Sequence, residues 1–158
     1  MPRLDFSLVL EDRAREAADL AAATDDPNVI LIAAETKLDN APRREAHNLS
    51  IRLAAELAWL GAVASADRAA KALGKPAPEG LRSRVQALEA LERRAGVRRD
   101  ALAGPFHDFH GILHGDCFYG DHCPTRRRVN DKIGEVRALA AHVDAAIERV
   151  QRGGRRGR

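Results

Sequence analysis

Apolar residues recur every three or four positions along most of this chain, the spacing that places them on one face of an α-helix. The pattern is most regular in a seam near the C-terminus, formed by Val129, Ile133, Val136, Ala140, Val143, Ile147 and Val150. Steps that alternate between four and three residues are typical of a helix in a left-handed bundle. The sequence therefore predicts an all-α protein.

Glycine and proline residues divide the periodic pattern into separate helices, because they favour turns and helix ends. Helices are predicted over residues 7–24, 43–73, 81–95, 105–114 and 124–151, with a loop from Gly115 to Pro124. The apolar run Val29–Ile32 fits a buried strand or a short helix, and the absence of a partner strand favours the helix. We expect a single domain over residues 1–151, an antiparallel bundle of four main helices with one or two short extra helices.

Charge is divided unevenly along the chain. Residues 1–60 carry 7 Lys and Arg against 11 Asp and Glu, whereas residues 61–158 carry 19 against 12. The last seven residues, 152–158, are arginine and glycine alone, so they cannot bury apolar surface, and we expect a disordered basic tail. Such a tail keeps the protein soluble or attracts a polyanion such as RNA.

The chain gives no sign of export or of a membrane span. It has no run of 18 apolar residues, and its first residues lack the long apolar segment of a signal peptide. Two cysteines without such a signal favour a reducing compartment. We therefore expect a cytoplasmic protein with free thiols and no membrane partner.

Unusual residue types are concentrated between Phe106 and Cys123. This segment holds four of the six histidines, both cysteines and the only tyrosine. His110 and His114 have the i, i+4 spacing that lets two imidazoles reach one metal ion, and Cys117 and Cys123 follow in the predicted loop. No CxxC pair occurs, however, and no second ligand pair lies elsewhere. Polar packing beside the core is the favoured explanation of the histidines, so no metal and no cofactor is predicted.

The same segment carries a short motif, Leu113-His114, three residues, then Phe118-Tyr119. Between an alanine-rich helix and a final amphipathic helix, it resembles the corresponding segment of small bacterial proteins with a HEPN-like helical bundle. The resemblance covers roughly residues 40–150. It implies a dimer associated with nucleic acid or nucleotides, and it makes His114 and Tyr119 candidate binding residues.

Active HEPN-type proteins are metal-independent ribonucleases with an Arg-x4–6-His motif, which Arg137 and His142 match here. The resemblance therefore makes these two residues candidate catalytic groups. On a regular helix, a separation of five residues places two side chains about 140° apart, on opposite flanks of the apolar seam. Flanking positions beside a core seam are the simpler interpretation of both residues.

Three arginines, Arg126, Arg127 and Arg128, lie in the predicted first turn of the last helix. The helix dipole and mutual repulsion disfavour positive charge there, so a compensating group is expected. Asp116 and Asp121 in the preceding loop provide one, and a bound phosphate is the other.

These features favour a non-catalytic binding or regulatory module that engages a polyanion or a partner protein through its basic C-terminal half. Two alternatives stay open. One is a metal-binding protein whose ligands are His110, His114, Cys117 and Cys123. The other is a ribonuclease that uses Arg137 and His142.

Overall fold

The computed structural model of the chain describes residues 6–40, 49–120, 122–123 and 125–155. Within those ranges the structure is helical and contains no strand, which confirms the predicted all-α class. Six α-helices are present: α1 (Phe6–Ala22), α2 (Pro27–Asp39), α3 (Leu49–Ala72), α4 (Gly80–Ala95), α5 (Ala103–Phe109) and α6 (Arg126–Arg155). A π-helical segment, π1 (His110–Tyr119), continues α5 without a break.

Helix α3 is the central element, and it contacts all the other helices and π1. Its buried face is rich in alanine, including Ala54, Ala58 and Ala62, none of which is exposed to solvent. Small side chains let neighbouring helices approach closely. At Gly61 a Cβ atom would lie 3.1 Å from Cδ2 of Leu31 on α2, so a larger residue there would require the Leu31 side chain to shift.

Helix α3 also has the length and mean hydropathy, 1.3, of a membrane-spanning helix. It is the one helix among the described residues to do so, although the sequence holds no uninterrupted run of 18 apolar residues. Within the relevant window 72% of its residues are buried inside the protein. Burial of this extent is what the core helix of a bundle shows.

The other helices form where local signals and apolar faces agree. Asp26 caps α2 by accepting a hydrogen bond from the backbone N–H of Asn28 at 2.9 Å, and Pro27 occupies the first turn. Gly96 caps the C-terminus of α4, and its φ of 64° is a left-handed conformation that favours glycine. In α6 the predicted seam packs on α3: Val129, Ile133, Val136, Ala140 and Val143 are buried, and Ile147 and Val150 are partly buried.

Several predicted boundaries differ from the observed ones. The predicted start of the central helix near Arg43 lies outside the described residues. The predicted end near His114 and the loop after it are wrong, because π1 continues to Tyr119. Glycine and aspartate lower helix propensity and suggested a loop here. Instead, the backbone N–H of Gly120 donates to the Gly115 carbonyl at 2.9 Å, an i to i−5 bond of π-helical type.

Helix α6 also extends further towards the C-terminus than predicted. The helix extends to Arg155, four residues beyond the expected end, so the first part of the predicted tail continues it. The last three residues, 156–158, lie outside the described part of the chain.

Candidate functional site

Helix α3 and π1 bring together a carboxylate and an imidazole that are 58 residues apart in sequence. His114 Nδ1 lies 2.8 Å from Glu56 Oε2, and the Glu56 side chain is only 7% exposed. An ionised carboxylate only accepts hydrogen bonds, so Nδ1 is the nitrogen that carries the proton. The pair satisfies a buried acidic group and holds the imidazole in one orientation.

Aromatic rings surround this pair. Trp59 packs against Phe106, His110 and His114, with ring centroids 5.0, 5.2 and 5.8 Å away. Tyr119 packs edge-on against His114 at 4.9 Å, and its own ring is 57% exposed. We call Glu56, Trp59, His110, His114 and Tyr119 the imidazole cluster. Its contacts pack π1 against α3, as expected for polar side chains beside a core.

Two members of the imidazole cluster have shifted pKa values. Burial, followed by the charges of His114 and His107, holds the pKa of His110 below its ordinary value of 6.5, and Glu56 opposes this only in part. Burial and the carboxylates of Glu56 and Glu11 raise the pKa of Tyr119. At neutral pH the cluster therefore contains a neutral His110 and a protonated phenol.

The lowered pKa of His110 makes stability depend on pH in a defined direction. The unfolded chain binds a proton at His110 more readily than the folded chain does. The free energy of unfolding should therefore fall as the pH decreases below 6.5. Urea titrations followed by the fluorescence of Trp59, the single tryptophan, measure this. His110→Gln should flatten the dependence between neutral pH and pH 5, while His122→Gln, at an exposed position, should not. An unchanged slope in His110→Gln would contradict the assignment.

The two cysteines form a disulfide, Cys117–Cys123. The expectation of free thiols is therefore wrong. Spacing alone could not foresee the bridge, because π1 turns the side chain of Cys117 towards the connection that leads to α6. Because the two sulfurs are bonded to each other, Cys117 and Cys123 offer no thiolate ligands to a metal ion in this structure. Among the described residues no group of three His, Cys, Asp or Glu side chains is placed to hold a metal ion.

The disulfide should stabilise the fold by a measurable amount. Closing a loop of six residues removes enough chain entropy from the unfolded state for about 2 kcal/mol. Reduction of the wild type should lower the free energy of unfolding by that amount. Cys123→Ser should match the reduced wild type and should not respond to reductant. Two thiols that react with a thiol reagent in the folded, unreduced protein would show that the bridge is absent.

The arginines at the start of α6 lie among acidic groups. Arg126 Nη2 lies 3.4 Å from Asp39 Oδ1 at the end of α2, a partner that the sequence did not suggest. Of the two loop aspartates that it did suggest, Asp121 lies outside the described residues. Arg127 and Arg128 are exposed. Arg128 lines a cleft of about 510 Å³ with Lys132 and His122, and with the carboxylates Asp116, Asp131 and Glu135. These carboxylates offset the positive charge that a phosphate would need.

Arg137 and His142 face different neighbours. Arg137 Nη1 lies 2.8 Å from Glu35 Oε1 on α2, which raises the pKa of the arginine further. His142 is exposed and lies beside Ala101, in the connection between α4 and α5. The two side chains therefore lie on opposite flanks of α6, as the helical spacing indicates, and do not converge on a shared site.

A separate group of arginines is brought together by the fold. Arg93 and Arg94 end α4, Arg98 and Arg99 follow in the connection to α5, and Arg149 lies near the end of α6. Val97 relates three of them in space, because it lines one cavity with Arg93, Arg99, Glu89 and Glu92 and another with Arg149. We call these five arginines the basic corner. The paired arginines on either side of Gly96 were visible in the sequence, but their proximity to α6 was not.

The basic corner keeps a net positive charge. All five side chains are exposed. Its one ion pair among the described residues joins Arg99 Nε to Asp100 Oδ2 at 3.8 Å, with both side chains largely exposed, and such pairs contribute little. Elsewhere arginines are neutralised by neighbours, as Arg68 is by Asp144 at 2.8 Å. Glu89 and Glu92 line the same cavity as Arg93 and Arg99, and Asp100 pairs with Arg99, so five arginines lie near three carboxylates and the surface keeps a positive excess.

The chain matches no protein-family model, no curated protein and no solved structure. Its functional interpretation therefore depends on the geometry of the described residues.

Proposed function

We propose that this chain is a non-catalytic binding module that engages a polyanion through the basic corner. The observation that carries the proposal is that Arg93 and Arg99 line one cavity and Arg149 lines another, with Val97 in both, while Arg94 and Arg98 are exposed next to them in the chain. Clustered positive charge attracts polyanions and gives salt-dependent binding, since each neutralised phosphate releases counterions. The imidazole cluster supports a non-catalytic role, because its contacts serve to pack π1 on α3.

Other features belong to the same proposal. The resemblance to HEPN-like bundles, the cytoplasmic location and the homodimer stay predictions, and the Cys117–Cys123 disulfide removes the argument from free thiols for that location. The outer face of α2 exposes Val29 and Ile32, which are 48% and 59% accessible. Contact between two copies would cover such residues.

A partner protein with an acidic surface is the second candidate ligand, and it would use the same arginines.

The proposal predicts salt-dependent binding of labelled inorganic polyphosphate that depends on the corner. Each phosphate contact contributes roughly 0.7 to the slope of log K against log salt for a single strand, so Arg98→Gln with Arg149→Gln should flatten it by about 1.4. Arg127→Gln with Arg128→Gln removes the same charge from the start of α6 and should have a smaller effect. Fluorescence anisotropy at several salt concentrations measures both.

Two results would count against this function. Equal losses in the two double variants would mean that net charge, rather than the corner, attracts the ligand. Absence of salt-dependent binding by the wild type at low ionic strength would refute the polyanion hypothesis. Binding of a partner protein would then be the function to test.

A further inference from the structure

A groove runs along α6 beside the basic corner. It consists of two adjoining cavities of about 200 and 240 Å³, which share Ala101 and His142. The remaining lining is mostly apolar and includes Val97, Leu102, Phe109, Leu139 and Ala145, with one carboxylate, Glu135, in the cavity of about 240 Å³. One of the cavities reaches Arg149, so the groove opens directly onto the basic corner.

We propose that this groove binds the bases of a single-stranded nucleic acid while the basic corner binds its phosphates. The inference rests on the proposed polyanion-binding function and adds the class of ligand. Charge complementarity alone would suit any polyanion. The apolar groove beside the charge selects a polyanion that also carries flat apolar groups.

The shape of the groove suits planar rings. Ala101 and Ala145 end at Cβ, so nothing on these residues prevents a ring from lying against the surface. His142 is exposed at the junction of the two cavities, and its imidazole offers a face on which a base can stack. Stacking on aromatic side chains inside a positively charged groove is the general mode by which proteins bind single strands.

The spacing of the arginines and of His142 along α6 also suits a strand. Arg149 follows His142 by two helical turns on α6, about 10 Å along the axis. Both residues line the same cavity. A strand that follows α6 would therefore place a base on His142 and a phosphate near Arg149, Arg98 and Arg99.

Other occupants fit less well. In a duplex the faces of the bases are stacked on each other, and only their edges are accessible in the grooves. A polypeptide of acidic residues alone would satisfy the arginines and leave the apolar groove unfilled. Single-stranded nucleic acid satisfies both parts of the surface.

The test compares four probes on the full chain at one salt concentration: a short single-stranded oligonucleotide, inorganic polyphosphate with the same number of phosphates, a duplex of the same length, and polyglutamate. The oligonucleotide should bind more tightly than polyphosphate by about 5- to 150-fold, the range that stacking of one base supplies. Polyphosphate binding as tight as oligonucleotide binding would overturn this inference and leave the proposed function intact. Tighter binding of the duplex or of polyglutamate would overturn it in favour of that ligand.

Two variants locate the bases. His142→Ala and Ala145→Leu should each remove the preference for the oligonucleotide and leave polyphosphate binding unchanged. His122→Ala and Ala141→Leu make the same changes at exposed positions outside the groove and should keep the preference. Circular dichroism verifies that all four variants are folded. A preference that survives both groove variants, or an equal loss for polyphosphate, would overturn the inference.

Discussion

Replacing Glu92 by alanine should destabilise the protein by about 3–5 kcal/mol, because the change leaves several buried N–H groups without an acceptor. Glu92 lies in the last turn of α4 and is only 2% exposed. Its Oε1 accepts hydrogen bonds from the backbone N–H groups of Leu102 at 2.7 Å and Ala103 at 3.0 Å. Its Oε2 accepts one from Asp100 at 3.1 Å. One carboxylate thus satisfies the start of α5 and fixes the connection that carries Arg98 and Arg99.

Urea denaturation followed by circular dichroism measures the loss. Glu89→Ala, one turn earlier on α4 and partly exposed, is the matched control and should cost little. Glu92→Gln keeps the shape and one acceptor oxygen, so its loss should be smaller than that of Glu92→Ala. If Glu92→Ala and Glu89→Ala were equally stable, Glu92 would not be the group that holds the connection. Because the connection between α4 and α5 carries Arg98 and Arg99 of the basic corner, Glu92→Ala should also weaken polyanion binding.

Replacing Phe106 by alanine should cost a similar amount, about 3–5 kcal/mol. Phe106 is fully buried and packs against Trp59 with ring centroids 5.0 Å apart. The substitution removes a large apolar surface and an aromatic pair, and it leaves a cavity between α3 and α5 that rigid helices cannot close. A loss of this size is a large fraction of the stability of a typical domain.

Circular dichroism is the suitable probe for this variant, since the fluorescence of Trp59 itself changes when its neighbour is removed. His107→Ala, at the next position and exposed, should leave stability almost unchanged. A loss below about 1 kcal/mol in Phe106→Ala would mean that the contact between α3 and α5 is looser than described.

Periodicity was sufficient for the α-helices and for the core face of α6. The seam from Val129 to Val143 is buried because residues three and four apart share a helix face, whatever the rest of the fold is. The short helix at Val29–Ile32 followed from the absence of a partner strand. Such local rules did not extend to π1, where glycine and aspartate suggested a loop and tertiary contacts with α3 stabilise a helix instead.

The candidate site was harder to predict because its parts are far apart in sequence. The pairing of Glu56 with His114 depends on the packing of π1 against α3, and nothing in the spacing indicates it. The basic corner likewise joins residues on α4 with Arg149 on α6. Sequence reasoning identified the basic C-terminal half but favoured Arg126, Arg127 and Arg128, of which the fold places Arg126 and Arg128 beside carboxylates. Charge content is readable from sequence, whereas charge compensation requires the structure.

The most direct test of the central claim, that the basic corner is the polyanion-binding surface, is to follow backbone amide chemical shifts by NMR during a titration with inorganic polyphosphate. The account predicts that the largest changes occur at residues 93–101 and 145–152, with small changes around Arg126–Arg128 and in π1. Changes centred on the start of α6, or changes spread evenly over all exposed arginines, would contradict it.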